Sequence, residues 1–364
     1  MECAESLQTE LVPTALPGSY PSKQPKHPIT VVCYEDRPHY ETGVKLLLLS
    51  LAKHMPGVDV NVFLPNASQN FLNWEHELEF VLHRDSPTSS DGFDIKPDLL
   101  KWGLRQGYQR VIFLDADIVL TGKVPQVLND VDQTALIVAQ ASPLATLPTH
   151  LRTRYWGFPE GRAFLRNPSG CCISVNHDHL ELIDDWRELI HSPSYVEAQR
   201  QCRQHGVKPP VPLRGDDELL IALLGSQKYR DLNIHFLSSS RDIAQCGSSA
   251  AFPVSSRILS FFRGLPPLVH AVARKPWLTS DLSKLRAQTR EPYVLVARQY
   301  KDLLGENPLW LEDCFFECSS FGLFSANPAL ADLTAAIRES WARFGLRSSA
   351  RTFTYAIENF RNRR

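Results

Sequence analysis

No stretch of this 364-residue sequence is apolar over the ~20 residues that a helix needs to cross a bilayer. The most apolar run, Leu46 to Ala52 (LLLLSLA), is short and bracketed by Lys45 and Lys53, so it predicts a buried helix and not a membrane anchor. The N-terminal stretch also lacks an apolar core of signal-peptide length, and the expectation is a cytosolic protein. An excess of one charge is missing too. The formal net charge is −1, so there is no global basic field of the kind nucleic-acid binders use, and no nucleic-acid partner is expected. The eight cysteines contain no C-x-x-C pair of the sort that builds a zinc ribbon. Under cytosolic redox conditions Cys314 and Cys318, in CFFEC, read as two semi-buried thiols. Internal repeats are absent.

What is present is the composition of a folded protein, 43% hydrophobic and 22% charged. The length exceeds one ordinary domain and predicts a large domain with an appendage. Residues 1–28, rich in Pro, Ser and Gln, read as a flexible tail. The main domain is expected over 29–282 and a helical C-terminal region over 283–364. A β-branched run, Ile29 to Tyr34, reads as the first strand. A helix over 40–54 ends at Pro56-Gly57, and Val58 to Leu64 alternates like a second strand. Leu78 to Leu82 reads as a third. A helix over 97–106 leads into the apolar strand Arg110 to Leu114, with later strands at 135–139 and 170–175. Helices are expected over 178–190 and 216–224, and in the C-terminal region over 279–286, 291–304, 329–344 and 352–361. Strands alternating with helices predict an α/β fold, a mainly parallel sheet covered on both faces. The C-terminal Arg361, Arg363 and Arg364 offer anionic lipid a weak peripheral contact, although a solvated helix end explains them as well.

Four local patterns carry chemistry. The first is FLDADIVL, with Asp115 and Asp117 two residues apart where an apolar strand runs out. In extended chain that spacing sends both carboxylates to one side, at the strand end where α/β sheets bind ligands. Two convergent carboxylates suit a hard divalent cation such as Mg2+ or Mn2+; a solvated strand end can carry the same triplet. The second is Pro267 to Trp277, where His270 ends an apolar stretch and Lys275-Pro276-Trp277 follow. The imidazole would complete a metal site and Lys275 would place a cation on a diphosphate. Taken singly, His270 reads as a core histidine and Lys275 as a solvated lysine. The third is Asp216-Asp217-Glu218 opening the apolar helix LLIALL; capping and the helix dipole explain one acid but not three. The fourth is Asn167-Pro168-Ser169-Gly170 before the strand CCISV, read as a turn whose polar groups can meet sugar hydroxyls.

With these pieces in order, the chain resembles the glycogenin-like and lipopolysaccharide-galactosyltransferase-like group of retaining glycosyltransferases, from about Ile29 to Trp277. The resemblance implies the GT-A nucleotide-diphospho-sugar transferase fold, Rossmann-like with a mainly parallel sheet. It implies that Asp115, Asp117 and His270 bind Mn2+ (or Mg2+), which holds the diphosphate of a nucleotide-sugar donor, by default a UDP-sugar. Lys275 corresponds to the family's diphosphate-binding lysine. Val32, Cys33, Tyr34 and Glu35 correspond to the nucleoside-contacting first strand and loop. Lys96 matches the donor-binding lysine upstream of the D-x-D strand, and Asn167 matches the asparagine of the family's N-S-G turn, displaced by one residue. Asp216 and Asp217 take the catalytic positions beside the sugar. The chain departs from the family where Asp217 replaces a glutamine, and where Ala271-Val272 follow His270 in place of Phe and Gly.

The implied reaction breaks the anomeric C–O bond, with an oxocarbenium-like sugar favoured by Asp216 and Asp217 and front-side attack by the acceptor. The acceptor class (glycan, lipid, protein or small molecule) is not legible. Two other readings stand beside this one. FLDADIV also fits a haloacid-dehalogenase-type phosphatase with Asp115 as nucleophile and Asp117 as acid–base residue. That family carries its D-x-D on the first strand, however, and the reading leaves 270–277 unexplained. A non-catalytic nucleotide-sugar-binding protein on the same fold is the other.

Overall fold

The computed structural model describes residues 27–74, 78–87, 92–122, 134–141, 148–246, 256, 260, 264–272, 275–278, 292–305 and 308–311. The β-branched run forms strand β1 (Ile29–Tyr34), whose alternation divides the molecule. Val31 and Cys33 face one core and Val32 and Tyr34 the other, as the two-residue period of a strand requires. Helix α1 (Glu41–His54) follows, then β2 (Asp59–Phe63), the short α2 (Gln69–Leu72), β3 (Val81–His83), α3 (Lys96–Arg105) and β4 (Arg110–Leu114). After β5 (Ile118–Leu120) and β6 (Leu136–Gln140) come α4 (Thr149–Tyr155), β7 (Pro168–Asn176), α5 (Leu180–Ile190), α6 (Pro193–His205) and α7 (Asp216–Leu224). Strands β8 (Ile234–Leu237), β9 (Ile243–Cys246) and β10 (Leu268–Ala271) precede helix α8 (Pro292–Ala297).

Seven strands form one sheet in the order β3-β2-β1-β4-β7-β6-β8. Strands β3, β2, β1 and β4 are mutually parallel, β6 and β8 are parallel to each other, and β7 runs antiparallel to both its neighbours. Helix α1 covers one face with Val44, Leu47, Leu48 and Leu51. Helices α3, α5 and α7 cover the other, with Leu99, Leu104, Trp186 and Leu220 among the buried side chains. This is the α/β class expected, with a mostly parallel sheet between helical layers.

A second sheet of three strands, β5-β10-β9, packs on the far side of α1. Leu46 and Leu49 meet Val119, Val269 and Tyr293 there, so α1 is apolar on two flanks because it separates two cores. That explains the leucine run: it is a buried helix. No helix among the described residues is long and apolar enough to cross a membrane.

Several expectations need correction. Asp115 and Asp117 do not lie on extended chain. The Ile118 amide donates to the Asp115 carbonyl at 3.1 Å, closing a β-turn between β4 and β5. Residues Pro168 to Gly170 are not a turn but the first residues of β7, where Pro168 pairs with Gln140 beside an irregularity in the β6 ladder. A proline is tolerated at that place because it is the first residue of its strand. The third strand is shifted to Val81–His83, and the expected helix over 178–190 begins at Leu180 after a 3-10 turn. The segment expected to be helical over 291–304 is α8 followed by a 3-10 helix, Arg298–Leu303. The N-terminal tail up to residue 26, the boundary near 282, and the segments 279–286, 329–344 and 352–361 lie outside the described residues.

Helix α3 matters for the site because Lys96 is its first residue, and it lies close against β4. A Cβ added at Gly103 would sit 2.7 Å from Val111 Cγ2. Alanine improves helix propensity by about 1 kcal/mol over glycine, while overpacking costs about 1–3 kcal/mol. Gly103→Ala should therefore lower the urea unfolding midpoint; a higher midpoint would show that α3 can retreat without cost.

Candidate functional site

Asp115 follows β4 directly, at the carboxyl end of the parallel strands β1, β2 and β4. The turn that follows sends the chain into β5, and β10 pairs antiparallel with β5 so that His270 stands opposite Ile118. The Ala271 amide donates to the Asp117 carbonyl at 3.0 Å, extending that ladder to the edge of the acidic turn. Two distant pieces of sequence thereby meet. His270 Nε2 lies 3.1 Å from Asp117 Oδ1 and 3.7 Å from Asp115 Oδ2. One ligand atom from each of Asp115, Asp117 and His270 falls within 4.8 Å of the others, an arrangement able to hold a metal ion. Two carboxylates and an imidazole suit Mn2+ and related divalent ions.

The close approach at the turn depends on a missing side chain. A Cβ at Gly43 of α1 would lie 3.0 Å from the Ala116 carbonyl, between the two aspartates, and 3.1 Å from Cζ2 of Trp277.

Lys96 supplies the neighbouring charge. Its amine is buried, 3.0 Å from Asp216 Oδ2, 3.6 Å from Asp115 Oδ1 and 4.0 Å from Asp217 Oδ1. The three acids that open α7 divide their work. Asp216 turns to Lys96. Asp217 accepts from the Gly170 amide at 2.7 Å and from the Ser169 hydroxyl at 3.2 Å. Glu218 pairs with Arg152 of α4. Gly170 is confined by this arrangement, since a Cβ there would come within 2.8 Å of Asp217 Oδ1 and 3.3 Å of Lys96 Nζ. Lys275 Nζ contacts Asp117 Oδ2 and the Ala271 carbonyl.

Four carboxylates, Asp115, Asp117, Asp216 and Asp217, thus face two ammonium groups, Lys96 and Lys275. With His270 neutral, as a metal-ligating imidazole is, the surplus is two negative charges, the charge that one divalent cation neutralises; a protonated His270 reduces it to one. Proton affinities respond to that surplus. Burial pushes Asp216 up, helped by Asp217 and Asp115 and resisted by Lys96, to about 7. Burial alone would lower His270, yet Asp117 and then Cys171 hold it well above the usual imidazole value. Asp115 is raised by burial against the opposing pull of Lys96 and His270. Asp117 is held well below the ordinary carboxylate range, because His270 and Lys275 outweigh its burial. Lys96 stays charged in spite of burial because Asp115, Asp216 and Asp217 surround it. A metal ion competes with protons for such groups. The donor set and the charge both fit a divalent ion.

Beside them lies a cavity of 580 Å³, within the ~300–1,000 Å³ range of small-molecule sites; Asp216 and Asp217 do not line it but stand behind Lys96. Lys96, Asp115, Asp117, His270 and Lys275 line one part of it. Tyr34, Glu35, Arg37 and Tyr40 line another, and Arg203 of α6 reaches it as well. Arg37 grips Glu35 through two hydrogen bonds of 2.7 and 2.9 Å and lies 3.7 Å over the Tyr40 ring. Arg37, Tyr40 and Arg203 were not expected from sequence, where nothing in residue type or spacing separates them from ordinary loop and helix residues.

Some expected residues stand apart. Val32 and Cys33 are buried in opposite cores and do not line the cavity; burial also raises the Cys33 thiol, with Glu35 and Asp115 adding to it. Asn167 is buried, its side-chain oxygen accepting from Thr149 Oγ1 at 3.3 Å, and it too is off the cavity. Ser169 and Gly170, two and three residues on, make the contacts to Asp217 instead.

No protein-family model matches the sequence, and no curated protein matches it. Solved structures do. The chain is similar to galactosyltransferase LgtC in complex with donor and acceptor sugar analogs, at 14% identity and a TM-score of 0.43, covering 76% of this chain and 95% of that one. It is similar to mouse xyloside xylosyltransferase 1 in its apo form, at 12% identity and TM-score 0.42, covering 67% and 98%. It is also similar to the apo bifunctional glycosyltransferase WbbM, at 12% identity and TM-score 0.46, covering 79% of this chain and 51% of that one. All three are glycosyltransferases. Likenesses this distant assign no activity.

Gly43→Ala presses on the acidic turn and on the Trp277 ring together. The helix gains propensity, about 1 kcal/mol, against an overpacking cost of about 1–3 kcal/mol, so thermal stability should hold or fall slightly. The new methyl displaces the Ala116 carbonyl, and Mn2+ affinity by isothermal titration calorimetry should fall by about tenfold, the lower end of the effect of disturbing a metal's outer shell. Unchanged affinity would mean that the turn does not depend on Gly43.

Proposed function

We propose that this protein is a metal-dependent glycosyltransferase of the GT-A type, taking a UDP-sugar donor and transferring the sugar with retention of anomeric configuration. One observation carries the reading: Asp115, Asp117 and His270 converge beside Lys275 and Lys96 on a single cavity at the carboxyl ends of parallel strands. Asp115, Asp117 and His270 would hold Mn2+ or Mg2+, which supplies positive charge to the departing diphosphate. Lys275 exchanges its contact with Asp117 for a phosphate oxygen and takes up charge as the bond breaks. The nucleoside lies against Tyr34, Glu35 and Tyr40, with Arg37 locking the Glu35 carboxylate.

The sugar then lies toward Lys96, Asp216 and Asp217. Both oxygens of Asp217 are held by β7, so this carboxylate is a fixed negative charge, not a mobile group. Asp216 is held by Lys96. Together they favour positive charge at the anomeric carbon; as the C–O bond to the diphosphate breaks, the acceptor hydroxyl attacks from the face that the leaving group departs and gives its proton to the departing diphosphate oxygen. Asn167 acts only through Ser169 and Gly170 in this scheme, and Val32 and Cys33 only by carrying Tyr34. A cytosolic location, and an acceptor that is a glycan, lipid, protein or small molecule, belong to the same proposal.

A thermal-shift panel of nucleotide sugars with and without Mn2+ tests it. Native-state binding at a hundred times Kd adds about 2.7 kcal/mol of stability, so UDP-sugars should raise Tm only when Mn2+ is present. Lys275→Met should remove most of that rise. Turnover with an inverted product, seen by proton NMR, would refute retention alone. Hydrolysis of aryl phosphates without nucleotide binding would replace the proposal with the phosphatase reading, and stabilisation by UDP with no turnover would replace it with a binding protein.

A further inference from the structure

The Lys275 segment is held from outside the cavity. Trp277 follows Lys275 in a 3-10 turn, Pro276–Leu278, and its ring is enclosed from two directions. On one side are Tyr40, with centroids 6.4 Å away in an edge-on contact, and the bare Cα of Gly43. On the other are Tyr293 at 5.8 Å and Trp310 at 6.1 Å, both buried, from the segment beyond the expected boundary at 282. Tyr293, Val294, Val296, Ala297, Tyr300 and Leu311 share a core with Val119 of β5 and with Val269 and Ala271 of β10. The strand that begins after Asp117 and the strand that carries His270 therefore lean on the same segment as Trp277.

The polar tips in this cluster are unusual. Trp277 Nε1, Tyr293 Oη and Trp310 Nε1 are buried and have no hydrogen-bond partner among the described residues. Buried donors without partners cost free energy. Among the described residues, edge-on and tilted ring contacts and not hydrogen bonds hold the cluster, and its shape sets where Trp277 sits.

We infer that residues 292–305 and 308–311 are a positioning element for the donor site, acting through the Trp277 ring on Lys275. The inference rests on the proposed role of Lys275, and it assigns to the C-terminal side of the chain a part in binding the nucleoside diphosphate. Trp310 is a positioning residue; it does not line the cavity.

The test uses the full chain and two readouts. In the first, the affinity for UDP with Mn2+ is measured by calorimetry for wild type, Trp310→Leu, Lys275→Met and the double variant. Trp310→Leu should weaken binding about tenfold in the wild-type background and less than about twofold when Lys275 is already gone, because groups acting through one contact are non-additive. Trp310→Phe, which keeps an aromatic face, should restore most of the affinity. Equal losses in both backgrounds, or no rescue by phenylalanine, would reduce Trp310 to a general packing residue and overturn the inference.

The second readout needs no ligand. Hydrogen exchange in Trp310→Leu should quicken at amides 268–278 while those of β7 and α7, which hold Asp217, stay protected. Unchanged exchange at 268–278, or loss of protection throughout, would overturn the inference as well. If wild type shows no affinity for UDP with Mn2+, the proposed function fails on that result, and the exchange pattern alone decides whether 292–305 and 308–311 position the Lys275 segment.

Discussion

The antiparallel register of β10 on β5 is the constraint from which the site follows. It sets His270 opposite Ile118, the residue after Asp117, and lets the Ala271 amide close on the Asp117 carbonyl. A slip of one residue would turn the imidazole to the other face of the small sheet. The acidic turn is fixed equally tightly from the other side, by the approach of α1 at Gly43 and by the β4 strand that ends at Leu114. Two short strands and a glycine thus decide whether three ligand groups converge.

Charge is the second organising quantity. Carboxylates are gathered in greater number than the ammonium groups that face them, in surroundings that disfavour charge of either sign. Unloaded, the site responds by raising the proton affinity of His270 and of Asp216, the latter to about 7. The two lysines stand on opposite sides of the acidic turn, Lys96 on the Asp216 side and Lys275 on the Asp117 side. That separation is the physical basis for the proposal that the sugar lies on one side and the diphosphate on the other.

Much of this was legible in the sequence, and the failures have physical causes. The apolar strands at 29–34 and 110–114 and the run 219–224 of α7 announce themselves because burial on all sides leaves little room for polar residues. The convergence of Asp115 and Asp117 was expected on the wrong grounds: a turn, not extended chain, brings them together. Strands β5, β9 and β10 are three or four residues long, too short for a period to show, although they carry or frame the group of Asp115, Asp117 and His270. Asn167 was drawn from a motif position, but the strand begins earlier than the motif suggests, so Ser169 and Gly170 occupy the place facing Asp217. Tyr40, Arg37 and Arg203 reach the cavity through tertiary geometry that no local pattern encodes.

The central claim is a single divalent ion held jointly by the acidic turn and His270. Pulsed electron paramagnetic resonance of protein-bound Mn2+ tests it most directly, because a coordinated imidazole nitrogen modulates the electron spin echo. The account predicts one bound ion per chain with nitrogen modulation in the wild type, and loss of that modulation in His270→Gln. A bound ion without nitrogen modulation, or modulation that survives the substitution, would contradict it.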